Sequence, residues 1–232
     1  MMKNNKNVPC YTGTVRSHFL NVPSAVYECS GIVIFGRRIK SLVFSTDVAI
    51  IKNINTDAVI AVYPFTPQPK ISGAVIDISD VPVFVGVGGG ITSGTRSLQL
   101  AIEAEHQGAF GVVVNAPIPG EVITSIKKYV DIPVIATVVS IHQDVAERLN
   151  AGADILNVSA AAETPATVRA IRARFPEVPI IATGGPTDDT IRATVEAGAN
   201  AITYTPPTNG ELFAQTMQQY RSMLNGKLPE GK

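Results

Sequence analysis

Two stretches of this chain repeat the same order of residues, Ile-Pro-Val-Ile-Ala-Thr at 132–137 and Val-Pro-Ile-Ile-Ala-Thr at 178–183. In each, a proline opens an apolar run of strand length. A Gly-Ala pair directly precedes the next apolar run, and three such pairs recur along the chain, at 108–109, 152–153 and 198–199. The repeating unit is strand, helix, strand, helix, which is a quarter of an eight-stranded barrel.

Six apolar runs follow this repeat and predict six strands. They cover residues 81–87, 111–115, 133–138, 154–159, 179–183 and 201–205. The runs show little alternation, as expected for parallel strands buried on both faces. The segments between them are amphipathic and predict helices.

The first quarter of the barrel is less regular. The two remaining strands are predicted at 48–52 and 58–63, and the link between them is too short for a helix. Upstream, the apolar runs 31–35 and 39–44 flank Gly-Arg-Arg at 36–38 and predict a β-hairpin that plugs the amino-terminal end of the barrel.

The predicted architecture is therefore a (β/α)8 TIM barrel with an N-terminal β-hairpin extension and an irregular first quarter. Residues 1–30 are expected to form an N-terminal extension, and residues 31–232 one barrel domain. A doubly wound open sheet is the alternative, and the three near-equal repeats favour closure over it.

Composition excludes several classes of partner. The chain has 232 residues, 45% hydrophobic, with 19 basic and 19 acidic residues that give a net charge of zero. It has no basic excess to attract nucleic acid or a membrane surface, and its apolar runs are far below the roughly 20 residues of a membrane helix. We expect a cytoplasmic protein, which its few charges would allow to form a homo-oligomer.

The cysteine pattern argues against a structural metal site. Cys10 and Cys29 lack Cys-x-x-Cys spacing, and we expect two reduced thiols, with a disulfide as the alternative. No Asp or Glu ends a predicted strand, and the three histidines are scattered. We therefore expect no metal and no cofactor.

Glycine-rich loops follow several predicted strands, on the side where barrels bind their ligands. Backbone N–H groups at glycines and at helix N-termini bind phosphate well. The residues that we expect to hold a phosphate or the substrate are Gly89, Gly90, Thr183, Gly184, Gly185 and Thr205. The alternative is that these glycines only permit tight turns.

Neutral polar residues end three predicted strands. Asn115, Thr137 and Asn157 are placed to hydrogen-bond the oxygens of a sugar or carbonyl compound. Because strand faces alternate, these side chains would equally suit a position facing the helices.

Lys52 is the only lysine at the end of a predicted strand. Burial in a barrel mouth would lower the pKa of its amine, which would make it a Schiff-base nucleophile or a charge clamp. The alternatives are a non-catalytic ion pair or a surface lysine.

The stretch from 178 to 205, with Ala-Thr-Gly-Gly at 182–185, resembles the phosphate-binding end of the ribulose-phosphate-binding barrel superfamily. The Val-Gly-Gly-Gly-Ile loop at 87–91 is similar to a glycine loop of the histidine-biosynthesis barrels in that group. The resemblance implies one or two phosphate sites at the mouth of the barrel.

Two departures from that superfamily bear on mechanism. Asn157 stands where its aldolases carry a Schiff-base lysine, so that chemistry is absent from this position. Thr-Pro-Pro at 205–207 replaces a Gly-Ser phosphate loop, and prolines lack an N–H donor.

The sequence thus predicts a metal-independent lyase or isomerase acting on a small phosphorylated metabolite, with Lys52 and Asn157 as the catalytic residues. A non-catalytic barrel that binds a phosphometabolite or a protein is the alternative, since acids and bases are scarce at the strand ends. Hydrolysis ranks below both, because no nucleophile supports it.

Overall fold

The computed structural model describes residues 9–11, 13, 14 and 19–225. A small antiparallel sheet precedes eight parallel strands. The strands are β1 (Ile32–Ile34), β2 (Arg37–Ile39), β3 (Ser41–Phe44), β4 (Ala58–Ala61), β5 (Val83–Gly88), β6 (Gly111–Val114), β7 (Val134–Val138), β8 (Ile155–Val158), β9 (Ile180–Thr183) and β10 (Ala201–Tyr204).

Helices connect the parallel strands. They are α1 (Val48–Lys52), α2 (Pro69–Ile78), α3 (Thr95–His106), α4 (Gly120–Tyr129), α5 (Val145–Asn150), α6 (Thr164–Arg174), α7 (Asp188–Glu196) and α8 (Asn209–Leu224). Short 3-10 helices occupy Ser24–Glu28 and Ala161–Glu163. No helix in the described ranges has the length and apolar character needed to cross a bilayer.

The eight parallel strands close into a barrel in the order β10-β3-β4-β5-β6-β7-β8-β9. The closing pair is β10 with β3, where Ile202 pairs with Ser41. The prediction of a (β/α)8 barrel is therefore confirmed, and the open sheet is excluded, because a doubly wound sheet would leave these two strands as free edges.

The first quarter differs from the prediction in its strand assignment. The residues predicted as a strand at 48–52 form helix α1, which begins because the Asp47 carboxylate accepts hydrogen bonds from the N–H groups of Ala49 and Ile50. The first barrel strand is β3, which had been expected to form the second arm of the hairpin. The quarter is regular in its order of elements, with an unusually short first helix.

The predicted hairpin is present and plugs the barrel. Its first arm, β1, lies within the predicted run 31–35, whereas its second arm is β2 at 37–39 and not the predicted run 39–44. β1 and β2 are joined by Phe35 and Gly36, both with positive φ, as a two-residue hairpin turn requires. The side chains of Ile32, Ile34 and Ile39 join the core that fills the barrel interior. Phe110 packs edge-to-face against both Phe35 and Phe84, at ring-centre distances of 5.3 and 5.8 Å.

The segment before the hairpin lies along the outside of the barrel. Leu20 pairs in parallel with Ile54, and the Glu28 carboxylate lies 3.2 Å from the guanidinium of Arg192 on α7. Cys10 is exposed and Cys29 is buried, and both are free thiols. The boundary proposed at residue 30 remains a prediction.

Polar side chains just ahead of two strands fix the amino-terminal end of the barrel. Asp154 accepts hydrogen bonds from Val134 N and from the Lys127 ammonium, at 2.9 and 2.8 Å. In the next repeat, Asn200 Oδ1 does the same for Ile180 N and the Arg172 guanidinium, at 2.9 and 2.8 Å. Both residues directly follow a Gly-Ala pair, so the same pattern of hydrogen bonds recurs in these two repeats.

Candidate functional site

A cavity of about 270 Å³ opens at the carboxyl ends of the barrel strands, where barrels of this class carry their sites. We call it the mouth cavity. It is lined by Phe44, Ile60, Val62, Val113, Asn115, Thr137, Val139, Asn157, Ser159, Thr183, Thr203 and Thr205.

Polar side chains occupy one side of the mouth cavity. They come from the ends of four consecutive strands, β7 to β10, and we call them the polar arc: Thr137, Asn157, Ser159, Thr183, Thr203 and Thr205. Asn157 Nδ2 donates to Thr137 Oγ1 at 3.3 Å, and Thr183 Oγ1 donates to Ser159 Oγ at 3.2 Å. These bonds order the arc, and its hydroxyl and amide groups retain further donors and acceptors.

Thr203 is the member of the polar arc that most clearly indicates a ligand. Its side chain is only 6% exposed, and its hydroxyl has no hydrogen-bond partner among the described residues. A buried hydroxyl without a partner costs roughly 1–3 kcal/mol. A ligand that hydrogen-bonds this group would recover that cost.

The opposite side of the mouth cavity is apolar. Phe44, Ile60 and Val62 come from β3, β4 and the residue after β4's end, and Val113 and Val139 flank them. Asn115, which follows β6, adds a polar amide at the edge of this side. We call this side the apolar wall. Among the described lining residues none is titratable, so these residues present hydroxyl, amide and aliphatic groups and the aromatic ring of Phe44.

The structure brings together five of the residues predicted for the site. Asn115, Thr137, Asn157, Thr183 and Thr205 all line the mouth cavity. Sequence reasoning missed Ser159, Thr203 and the whole apolar wall. The period of two in a strand was the available signal, since Ser159 lies two residues after Asn157, and Thr203 lies two before Thr205.

Lys52 is not at the mouth, and this prediction is corrected. It ends helix α1, and helices run antiparallel to the strands, so it lies at the opposite end of the barrel. Its ammonium pairs at 2.5 Å with the carboxylate of Asp80, which precedes β5, and the two side chains are 44% and 78% exposed. An exposed ion pair of this kind leaves no basis for a covalent role.

Gly184 is required by packing. A Cβ at this position would lie 2.7 Å from Ile202 and 2.8 Å from Ile191, and its N–H already donates to Thr203 O at 3.2 Å. Its neighbour Gly185 is exposed and has φ +83°. Of the two glycines in this loop that are predicted to bind phosphate, Gly184 therefore has no free N–H donor to offer.

Acidic groups surround the position predicted for phosphate. Asp188 and Asp189 lie in the first turn of α7. At the start of α8, Glu211 accepts hydrogen bonds from the Thr208 N–H and hydroxyl, which lower the pKa of its carboxyl. Carboxylates here offset the positive end of each helix dipole and repel a second anion.

The other glycine loop also has a packing role. A Cβ on Gly89 would lie 2.3 Å from the Cβ of Asn115, and Asn115 N donates to Gly88 O at 2.9 Å. Gly89 thus allows the loop to approach β6 and place Asn115 at the rim. Gly90 has φ +62° and open space around it, so phosphate binding there stays a prediction.

A larger groove, about 630 Å³, lies outside the barrel between α1 and α8. None of its lining side chains is a buried polar group without a partner. It also lies away from the strand ends, so the mouth cavity is the better candidate despite its smaller volume.

No family model matches this chain, and no curated protein matches it. Solved structures do. A 2,3-dimethylmalate lyase, a member of the PEP mutase/isocitrate lyase superfamily, matches with a TM-score of 0.64 and 12% identity over 87% of this chain and 82% of its own. The phosphoenolpyruvate phosphomutase of Streptomyces platensis subsp. rosaceus matches at 0.59 and 14%, over 88% and 86%.

A phosphonopyruvate hydrolase in complex with oxalate and Mg²⁺ matches at 0.59 and 14%, over 82% of this chain and 83% of its own. At these identities the similarity shows the fold. The resemblance seen in the sequence thus holds for the (β/α)8 barrel, and the narrower ribulose-phosphate-binding assignment is not shown. The mouth cavity has no carboxylate among its described lining residues, so it lacks the donors that Mg²⁺ prefers.

Proposed function

We propose that this protein is a lyase- or isomerase-type barrel that binds a small, oxygen-rich metabolite in the mouth cavity. The observation that carries the proposal is Thr203, which lines the cavity and whose buried hydroxyl has no hydrogen-bond partner among the described residues. The names of the structural neighbours, a lyase and a phosphomutase among them, support this reaction class.

In this proposal the polar arc binds the oxygens of the substrate and the apolar wall its carbon skeleton. Hydroxyl and amide donors near a carbonyl oxygen stabilise the negative charge that develops there when the adjacent carbon passes its proton to a base. Since no described lining residue is titratable, that base would be a water molecule or a group of the substrate itself. Asn157 and Thr137 pair across the neighbouring strands β8 and β7, and Thr203 on β10 lines the same cavity.

A phosphorylated substrate is less well supported by the residues of this site than an unphosphorylated one. Its phosphate would need an exposed loop glycine as a donor, either Gly185 after β9, with Thr205 on the neighbouring β10, or Gly90 after β5 on the opposite side of the barrel. The carboxylates of Asp188, Asp189 and Glu211 oppose this arrangement.

The proposal is tested in two steps. Thermal shift measurements screen a panel of hydroxy and keto compounds, with and without phosphate. Each ligand that raises the melting temperature is then incubated with enzyme in D₂O, and NMR follows deuterium incorporation or cleavage. An Asn157→Ala variant should lose turnover by about 100-fold, whereas Asn150→Ala, an exposed control on α5, should not.

A non-catalytic binding barrel is the second candidate, favoured by the lack of titratable groups among the described lining residues. It predicts ligands that raise the melting temperature and undergo neither exchange nor cleavage. If no compound of the panel binds, both candidates are wrong for this cavity.

A further inference from the structure

We infer that the ligand of the mouth cavity is an uncharged, small aliphatic compound with hydroxyl or carbonyl groups at one end and a branched hydrocarbon at the other. The inference rests on the proposed function for the location of the site. It adds the chemical class of the ligand and departs from the phosphorylated metabolite that the sequence predicts.

The first argument is charge. The described residues that line the mouth cavity contain no Lys, Arg or His. A phosphate or carboxylate in this place would lose its water and meet hydroxyls and aliphatic carbon instead of a cation. Burying an anion without a charged partner is strongly unfavourable, while binding an uncharged oxygen carries no such cost.

The second argument is the kind of hydrogen-bonding group that the polar arc offers. Asn157 donates one of its two amide N–H groups to Thr137, so it retains the second N–H as a donor and the amide oxygen as an acceptor. The Thr203 hydroxyl both donates and accepts. A phosphate oxygen needs donors only, whereas an alcohol or a hydroxy-ketone uses both donors and acceptors.

The third argument is shape. Polar groups come from β7 to β10, and Phe44, Ile60 and Val62 cover the facing side. A polyol with oxygens on every carbon would leave hydroxyls against the apolar wall without partners. The volume of about 270 Å³ lies just under the roughly 300–1,000 Å³ usual for ligand pockets, so the ligand is small.

The test uses three probes that share one carbon skeleton and differ in charge: 3-methylbutane-1,2-diol, 2-hydroxy-3-methylbutanoate and the 1-phosphate of the diol. Glycerol is the fully hydroxylated comparison. We expect the diol to raise the melting temperature of the full chain by about 5–10 °C at about 100 times its Kd. The two anions and glycerol should give no comparable shift.

Thr203→Val identifies the site. Valine keeps the shape of threonine and removes the hydroxyl, so the free variant should melt about 2–4 °C higher, and the diol should no longer shift it. Thr167→Val is the matched control, because the Thr167 hydroxyl on α6 is also buried and without a partner but lies away from the mouth cavity. It should show the same gain in stability and keep the full response to the diol.

The outcomes separate the two proposals. A shift by the phosphate or the hydroxy acid that Thr203→Val abolishes would keep the mouth cavity as the site and overturn the uncharged ligand. A diol shift that persists in Thr203→Val would place the binding elsewhere and overturn both. No shift with any of the four compounds would overturn the branched, uncharged ligand, and the wider panel of hydroxy and keto compounds would then decide the proposed function.

Discussion

At the scale of single residues, several glycines and one lysine have roles set by what surrounds them. Gly184 sits where a methyl group would meet Ile191 and Ile202, although the same residue in a Gly-Gly loop indicates a phosphate site by sequence. In the sequence, Lys52 ends an apolar run that predicts a strand. In the fold, it ends helix α1. In both cases the neighbours, which only the fold supplies, decide the role.

Gly184→Ala should lower the free energy of unfolding by about 1–3 kcal/mol, because the added methyl overpacks the contact between β10 and α7. Gly73→Ala is the control. Gly73 lies in helix α2, and its Cβ would meet only the Gln107 side chain at 3.4 Å, so alanine should stabilise by up to about 1 kcal/mol. Urea unfolding of both variants measures this, and a neutral Gly184→Ala would refute the packing role.

Lys52→Ala should leave ligand binding and turnover unchanged and alter stability by no more than about 1 kcal/mol, the range for an exposed ion pair. Asp80→Ala should behave in the same way, since it removes the other partner. Thermal shifts with a bound ligand and steady-state rates provide the measurement. Loss of turnover in a folded Lys52→Ala protein would show that Lys52 has a role in catalysis and would contradict this prediction.

Cys29 should make stability fall at alkaline pH. Burial raises the pKa of its thiol, so the folded protein keeps this proton above pH about 8.5, where an unfolded cysteine loses it. The contribution is complete below about pH 8.5 and is lost as the pH rises towards the folded pKa. Urea midpoints at pH 8 and 9.5 should differ more for the wild type than for Cys29→Ala, and equal differences would contradict this.

At the scale of elements, the sequence predicted the last six strands well and the first quarter poorly. β6 to β10 fall within the predicted runs, and β5 extends one residue beyond its own, to Gly88, because each repeat brings its own proline and Gly-Ala pair. The apolar run at residues 48–52 is too short for its period to distinguish a strand from a helix. In the fold, the Asp47 side chain caps this segment and stabilises it as a helix. That single error moved Lys52 from one end of the barrel to the other.

The candidate site was predictable in part for the same reason. Asn115, Thr137 and Asn157 end strands that the repeat located, so their position at the mouth followed. The positions of Phe44 and Val62 at the mouth could not be predicted. The residues of β3 were assigned to the hairpin, and the sequence did not indicate which face of β4 points into the barrel. The apolar wall therefore lay outside what the sequence alone could show.

Arg172 braces two neighbouring elements, and its loss should be costly. Its guanidinium donates to the carbonyls of Gly198 and Val178 at 2.8 Å each and to Asn200 at 2.8 Å. Arg172→Ala leaves these acceptors without a partner and should lower the free energy of unfolding by about 2–4 kcal/mol. Arg169→Ala, exposed on the same helix, should change it by less than about 0.5 kcal/mol. Chemical denaturation of the two variants separates bracing from loss of charge.

At the scale of the whole molecule, the hairpin and the barrel share one core. Ile32, Ile34 and Ile39 pack with the side chains that fill the barrel interior. The hairpin is consequently expected to unfold together with the barrel in a single transition.

Ile34→Ala should destabilise the whole chain by about 2–5 kcal/mol, because it leaves a cavity in the interior core. Val33 is the adjacent control: it is 67% exposed where Ile34 is 7% exposed, and Val33→Ala should change stability by less than about 0.5 kcal/mol. Near- and far-ultraviolet circular dichroism should report the same midpoint for Ile34→Ala. Separate midpoints would show that the hairpin unfolds independently.

The plug at the amino-terminal end also has a kinetic consequence. With that end closed by the hairpin, a compound enters and leaves the mouth cavity through one opening. When a bond is cleaved inside, the two fragments must depart in sequence, and the fragment that departs last occupies the place of the next substrate. A cleavage reaction in this barrel would therefore show competitive inhibition by one product and noncompetitive inhibition by the other.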